Sequence, residues 1–273
     1  MKTYLTLSAI ALAAAATLSS GVACAEEAAA PVPDIAVTTN VGITSDYRFR
    51  GVSQNNQAPS FQGGVDVAFN KLGLYVGTWG SNVSQWTAGN GTLEMDLYGG
   101  YKTEIAGFGV DVGVIDYQYP GSGGAYQGSP VKANTQEAYL GLAYGIATFK
   151  ASRTVGNGYF NSTVDSSGKA FSAKGTMYYD LTLSQEILPK LTASAHAGYT
   201  DYKTSDATVK DFSYADYNVG LAYDYNSYVF GVKLYKNNLG SGTKSWLTTG
   251  SVQATNGKSL GNNGVALSLT RSF

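Results

Sequence analysis

The sequence has one cysteine, one histidine and only 14% charged residues, and beyond its N-terminal segment it has no long apolar run. Each shortage excludes something. Cys24 lies in Ala23-Cys24-Ala25, behind a positive Lys2 and an Ala-rich apolar run from Leu5 to Leu18, with Glu26 and Glu27 following. That order of basic, apolar and small residues reads as a secretory signal cleaved after Ala25. Cleavage there removes the only thiol, so neither a disulfide nor a sulfur-ligated metal is expected in the mature chain. The apolar run falls short of the ~20 residues that a spanning helix requires. Gly21 also stands where a lipoprotein signal carries a large aliphatic residue, so Cys24 is not read as a lipid anchor. A formal net charge of −1 excludes the basic surface that nucleic acid requires. With no helix-length apolar run, crossing a membrane would require strands closed on themselves.

What the chain does have is glycine and tyrosine, 34 and 21 residues respectively. Residues 26–33 read as a flexible lead-in and 34–273 as one domain. Twelve candidate strands run near 35–48, 59–69, 72–81, 92–103, 107–118, 135–144, 146–155, 174–186, 190–202, 213–225, 228–237 and 264–273. Most approach the 9–11 residues that carry a tilted strand across a bilayer. Tight turns at 70–71, 103–107, 145, 186–190 and 225–227 alternate with longer segments at 51–58, 82–91, 119–134, 156–171, 203–212 and 238–263. Short periplasmic turns, longer external loops and an even strand count define an outer-membrane barrel. The fold class is therefore all-β, a transmembrane antiparallel up-and-down barrel of twelve strands.

Period-two alternation separates the two faces. Tyr217, Val219, Leu221, Tyr223 and Tyr225 share one parity, an aliphatic centre between tyrosines suited to lipid and its interfaces. Around 72–81 and 146–155 the choice stays open, since Leu74 and Val76 compete with Tyr75 and Trp79. The last strand places Val265, Leu267, Leu269 and Phe273 on one face, and Arg271 interrupts the apolar pattern. Its terminal aromatic resembles the closing strand that barrel-assembly machinery reads.

The same parity assigns ten acids to the interior: Asp46, Asp66, Glu94, Asp96, Asp111, Glu137, Asp180, Glu186, Asp216 and Asp224. Against them stand four bases, Arg48, Lys102, Lys150 and Lys233, leaving a formal interior charge of −6. Ionisable groups at membrane depth belong in water or in pairs, so these residues are the candidate pore lining. A charged wall concentrates counter-ions, which predicts a preference for cations or neutral solutes. Mutual pairing across a narrow lumen would account for the charges equally well. Asp46, Arg48 and Arg50 alternate near the end of the first strand, and an internal salt-bridge ladder explains them better than a solute-binding rung.

His196 is inward as well. Outer-membrane phospholipases pair serine with histidine, with a serine two residues after it. Here that position is Gly198, and Ser194 precedes instead. A histidine bonded to its neighbours is the simpler reading, and no enzyme, metal site or cofactor is expected. Gly257-Lys258-Ser259 lacks the glycine and the strand–helix setting of a phosphate loop. The glycosylation triplets beginning at Asn82, Asn90 and Asn161 are chance matches in this context.

The motif Ser45-Asp-Tyr-Arg-Phe-Arg-Gly-Val-Ser-Gln54, entered from Asn40-Val-Gly-Ile-Thr44, resembles the signature of the TorF-type porin family, also called Gcw_chp. The resemblance extends in kind over the whole mature chain. It implies an outer-membrane barrel and leaves the solute open. The expected function is passive diffusion of small solutes through a lumen narrowed by the longest loops. The alternative is a plugged barrel whose loops bind a partner. Expected partners are outer-membrane lipid and lipopolysaccharide, the assembly machinery through Phe273, and the solutes themselves.

Overall fold

The computed structural model describes residues 33–84, 87, 91–123, 132–160, 162–163, 169–207, 209, 211–239 and 259–273. The expected signal at 1–25, nearly all of the lead-in at 26–33, Asn90, Asn161, Gly257 and Lys258 lie outside the described residues. In chain order the strands are β1 (Ile35–Thr44), β2 (Arg48–Phe49), β3 (Val52–Ser53), β4 (Ser60–Phe69), β5 (Leu74–Asn82), β6 (Leu93–Ile105) and β7 (Phe108–Gln118). They continue with β8 (Thr135–Tyr144), β9 (Ala147–Thr154), β10 (Met177–Leu188), β11 (Leu191–Asp201), β12 (Tyr214–Tyr225), β13 (Tyr228–Asn237) and β14 (Gly264–Ser272). All but β2 and β3 form a single closed barrel in sequence order. β1 completes the ring by pairing with β4 on one side and antiparallel with β14 on the other, Asn40 opposite Ser272. Closure leaves no unpaired strand edge, which matters in lipid because each unsatisfied backbone group there costs several kcal/mol.

The faces follow the alternation. Val219 and Leu221 stay 52% and 42% exposed on the outer wall, while Asp216 and Ala222 of the same strand are buried inside. The open choice in β5 resolves cleanly: Leu74 and Val76 face outward, and Trp79 is buried. Tyrosines ring the outer surface toward the strand ends, among them Tyr101, Tyr144, Tyr217 and Tyr225. An apolar band between aromatic girdles is the surface a barrel presents to lipid. At the turn end four of the five reversals are two residues long, as at Asn226-Ser227 with φ of 52° and 67°, and the β4–β5 turn spans four, Asn70 to Gly73. Positive φ at both positions matches the right-handed twist of the flanking strands.

The first strand departs from expectation. It ends at Thr44, and residues 45–58 do not form an external loop. The backbone turns into the barrel and folds back on itself as β2 and β3, a two-stranded sheet separate from the wall. Arg50 and Gly51 form its tip, with φ of 48° and 75°, as a two-residue hairpin turn demands. The sequence disguises this turn, since arginine is an uncommon residue at positive φ.

The inturned hairpin is packed on every side. Tyr47 meets the Trp79 ring edge-on at 5.5 Å, Phe49 packs against Tyr117 and Phe160, and Val52 joins Leu239 and Leu260. Ser53 is completely buried. The segment therefore fills the loop end of the barrel. Among the described residues this segment narrows the loop end together with Tyr159 and Phe160 from the 156–171 segment and Leu239 and Leu260 from the 238–263 segment.

Candidate functional site

The interior is built from three kinds of residue in register. Glycines come first, because they make room for rings. Tyr98 lies opposite Gly77, Tyr75 opposite Gly100 and Tyr139 opposite Gly113 on adjacent strands. A β-carbon on any of these glycines would sit within 2.5 Å of a ring or hydroxyl atom. Rings laid over bare backbone stay close to the wall instead of filling the lumen.

Cations then stack on two of those rings and on two further interior tyrosines. Lys102 stands 4.6 Å above Tyr75, Lys150 4.2 Å above Tyr139, Arg50 4.3 Å above Tyr178 and Arg48 5.6 Å from Tyr235. The negative face of an aromatic ring attracts a positive charge, more strongly where water is excluded. The tyrosine hydroxyls turn to the acids. Tyr98 donates to Asp66 at 2.6 Å, Tyr75 donates to Asp111 at 2.7 Å, and Tyr75 also bonds Tyr139.

The charges fall on one continuous rung. Lys102 pairs with Asp111, Asp111 with Gly141, Gly141 with Lys150 and Lys150 with Asp180. Asp180 then pairs with Gly198, Gly198 with Asp216 and Asp216 with Asn237. The strands tilt, so this line climbs from near the turn end on β6 to the loop end on β13. Solvent access is lost toward its loop end. The Lys102 and Asp180 side chains are 36% and 29% exposed, whereas Asp216 is 2% and the neighbouring Glu137 1% exposed. The turn half of the interior is solvent-accessible and the loop half is buried.

Arg50 does much of the sealing. It reaches Glu137 on β8 at 2.7 Å and the Tyr159 hydroxyl at 3.0 Å. Burial opposes the guanidinium charge, but Glu137 and the phenols around it more than offset this and raise its pKa. Arg48 bonds Asp46 at 2.7 Å, and Asp46 accepts from Ser53 at 2.6 Å. The expected ladder of Asp46, Arg48 and Arg50 is thus divided: one pair lies within the hairpin and the other spans the barrel. Tyr47 donates to Glu94 at 2.9 Å. Burial first, and then the Glu94 carboxylate, push the Tyr47 and Tyr119 phenols well up, which keeps both as donors.

His196 is bonded to its neighbours. Nε2 lies 3.1 Å from Asp216 and Nδ1 3.3 Å from Asp180. The Tyr178 and Thr182 hydroxyls stand at 3.3 Å. Two carboxylates bracket the imidazole, a partnership that the spacing of residues 180, 196 and 216 does not reveal. Ser194 Oγ has no hydrogen-bond partner, so the Ser–His pairing that a lipolytic centre needs is not formed there.

Of the wall candidates, Glu94, Asp96, Glu137 and Asp216 are buried in the interior and Asp66 meets the Tyr98 hydroxyl there. Asp46 and Arg48 are buried there as well, from the hairpin and not from the wall. Glu186 and Asp224 lie by the turns, where Glu186 accepts from the Lys190 amide and Asp224 from Ser227. The tyrosine platforms are the interior residues that the charge pattern missed, and Arg50, expected in a ladder beside Arg48, instead reaches across to Glu137. An Arg-Gly pair between two apolar residues, Phe49 and Val52, was the available signal for a tight turn.

The sequence profile of a family described as a bacterial protein of unknown function (Gcw_chp) matches residues 25–273. The chain belongs to the Gcw_chp family. The Ser45–Gln54 motif that carried the resemblance corresponds to the inturned hairpin. No curated protein matches this Gcw_chp chain by sequence. Among solved structures, a KdgM porin shares 6% identity at a TM-score of 0.51, covering 86% of this chain and 98% of that one. A NanC porin shares 12% identity at a TM-score of 0.50, covering 87% and 99% respectively. These likenesses establish a porin-type barrel fold.

Proposed function

We propose that the protein is a porin-like channel of a Gram-negative outer membrane, exported by a signal cleaved after Ala25 and passing small neutral or cationic solutes by diffusion. The observation that carries this reading is the polar interior, solvent-accessible through its turn half and narrowed at the loop end by the Ser45–Gln54 hairpin. A barrel built only to present loops has no need of a wet, charged vestibule. The excess of carboxylates over bases favours cations at the wall. Arg50 is already neutralised by Glu137, so it adds little attraction for anions.

The completeness of the hairpin seal favours a second reading, a closed barrel whose loops bind a partner. Planar-bilayer recording separates the two. The refolded mature protein is compared, under a salt gradient, with a variant whose residues 46–54 are replaced by a Gly-Ser linker. Cation-selective steps that enlarge in the linker variant support the channel. Silence from both proteins, each folded and heat-modifiable, decides for the closed barrel.

A further inference from the structure

Two interior acids next to the hairpin lack the partners that every other buried charge of the site has found. Asp96 is fully buried, and neither of its oxygens has a hydrogen-bond partner. Glu94 is 1% exposed, takes the Tyr47 phenol on Oε1 and has nothing on Oε2. Among the described residues no lysine, arginine or histidine forms an ion pair with either, since Arg48 and Arg50 are engaged by Asp46 and Glu137.

An uncompensated buried carboxylate is among the costliest features a protein can hold. Something must balance this pair. A proton on each acid cancels both charges but still leaves the Asp96 oxygens without a hydrogen-bond partner. A divalent cation cancels both and gives the three unsatisfied oxygens a common partner.

The geometry accommodates such an ion. Glu94 and Asp96 leave the same face of β6 two residues apart, about 7 Å between Cα atoms. An ion bound at calcium–oxygen distances bridges oxygens up to about 5 Å apart, a separation that carboxylates at alternate positions on one strand face can reach. Tyr47 supplies a neutral oxygen at one side of the pair, and Tyr119 stands beside the same Glu94 carboxylate. No third acid, histidine or cysteine joins them among the described residues.

We propose that Glu94 and Asp96 bind a hard, oxygen-seeking divalent cation of the calcium type, which ties the root of the hairpin to β6. With only two carboxylates the site belongs to the weak class, half-filled near ~1 mM. The tie runs through Tyr47, whose hydroxyl reaches Glu94 while its ring packs on Trp79. The proposal needs only the barrel and its hairpin and does not depend on channel activity.

Terbium is the probe, because it replaces calcium and luminesces when neighbouring aromatic rings pass it their excitation. Trp79 pairs directly with Asp96 across β5 and β6, and Tyr47 is bonded to Glu94. The refolded wild-type protein is expected to sensitise terbium emission, which calcium then chases at ~1 mM. Asp96→Asn and Glu94→Gln should each abolish the signal while remaining heat-modifiable barrels, since amides relieve the buried charge. Asp116→Asn, which changes an acid bonded instead to Gln118 and Gln136, should keep it. Absence of sensitised emission from folded wild-type protein overturns the proposal in favour of two protonated acids. Emission that survives Glu94→Gln with Asp96→Asn overturns it in favour of binding elsewhere.

Discussion

Arg50 and Glu137, 87 residues apart in sequence, meet at 2.7 Å inside the barrel, each side chain no more than 5% exposed. The pair is the firmest link between the hairpin tip and the opposite wall. It joins a strained turn residue to β8, and the Tyr178 ring supports the guanidinium at 4.3 Å.

Removing one member should therefore cost more than removing both. Arg50→Ala strands Glu137 as a buried, unpaired charge, a change expected to destabilise by about 3–5 kcal/mol. Adding Glu137→Gln should recover most of that loss. Arg50→Lys should not rescue fully, because an ammonium lacks the flat fork that serves Glu137, Tyr159 and the ring together. Denaturant unfolding in detergent micelles reads all three variants, and equal losses in the single and double variants would refute the pairing.

The glycine–tyrosine contacts make a sharper steric prediction. A β-carbon at Gly113 would collide with the Tyr139 ring, whereas one at Gly109 would meet only Ala143 at 3.4 Å. Gly113→Val should displace Tyr139, disturb its bond with Tyr75 and destabilise by about 1–3 kcal/mol. Gly109→Ala should stay within about 0.5 kcal/mol of wild type. Shifts of the unfolding midpoint compare the two.

Face assignment is testable on a single strand. Val219 lies on the outer wall and Asn218 faces inward beside His196. Val219→Arg should cost about 2–4 kcal/mol in lipid, the range for arginine near a bilayer midplane. Asn218→Arg, next to acids and water, should cost well under half as much. Unfolding from liposomes measures both, and the reverse order would mean that the faces are exchanged.

Phe273 separates recognition from stability. Its ring is 65% exposed, while its backbone is held in the ladder with Thr39 at 2.9 Å. Phe273→Ala should thus leave refolding into detergent nearly unchanged. Cellular yield of the folded barrel should fall severalfold if assembly machinery reads the terminal aromatic, and an unchanged yield would remove that role.

Strand positions and the lipid-facing side were legible in the residues because a closed sheet in a bilayer enforces a period of two. Val219, Leu221 and Tyr223 can satisfy lipid only together, and each intervening residue must then face inward. The hairpin was legible only as a tight turn at Arg50-Gly51 and not as a segment folded into the barrel. Arg48, Phe49, Arg50, Gly51 and Val52 alternate just as a continuing strand would, and only backbone geometry shows that Arg50 carries a positive φ. Local patterning cannot distinguish a strand that extends outward from one that folds back, since both present the same alternation.

The sequence by itself determined the barrel, its even strand count, its apolar exterior and the acidic bias of its interior, because each follows from spacing along one chain. Tertiary structure alone decided which charges meet. The rung from Lys102 to Asn237 depends on the register of eight strands, and a shift of one residue in any pairing would break it. The isolation of Glu94 and Asp96 depends on where the hairpin comes to rest. Both depend on the closure of the ring, which brings together side chains that local sequence order cannot relate.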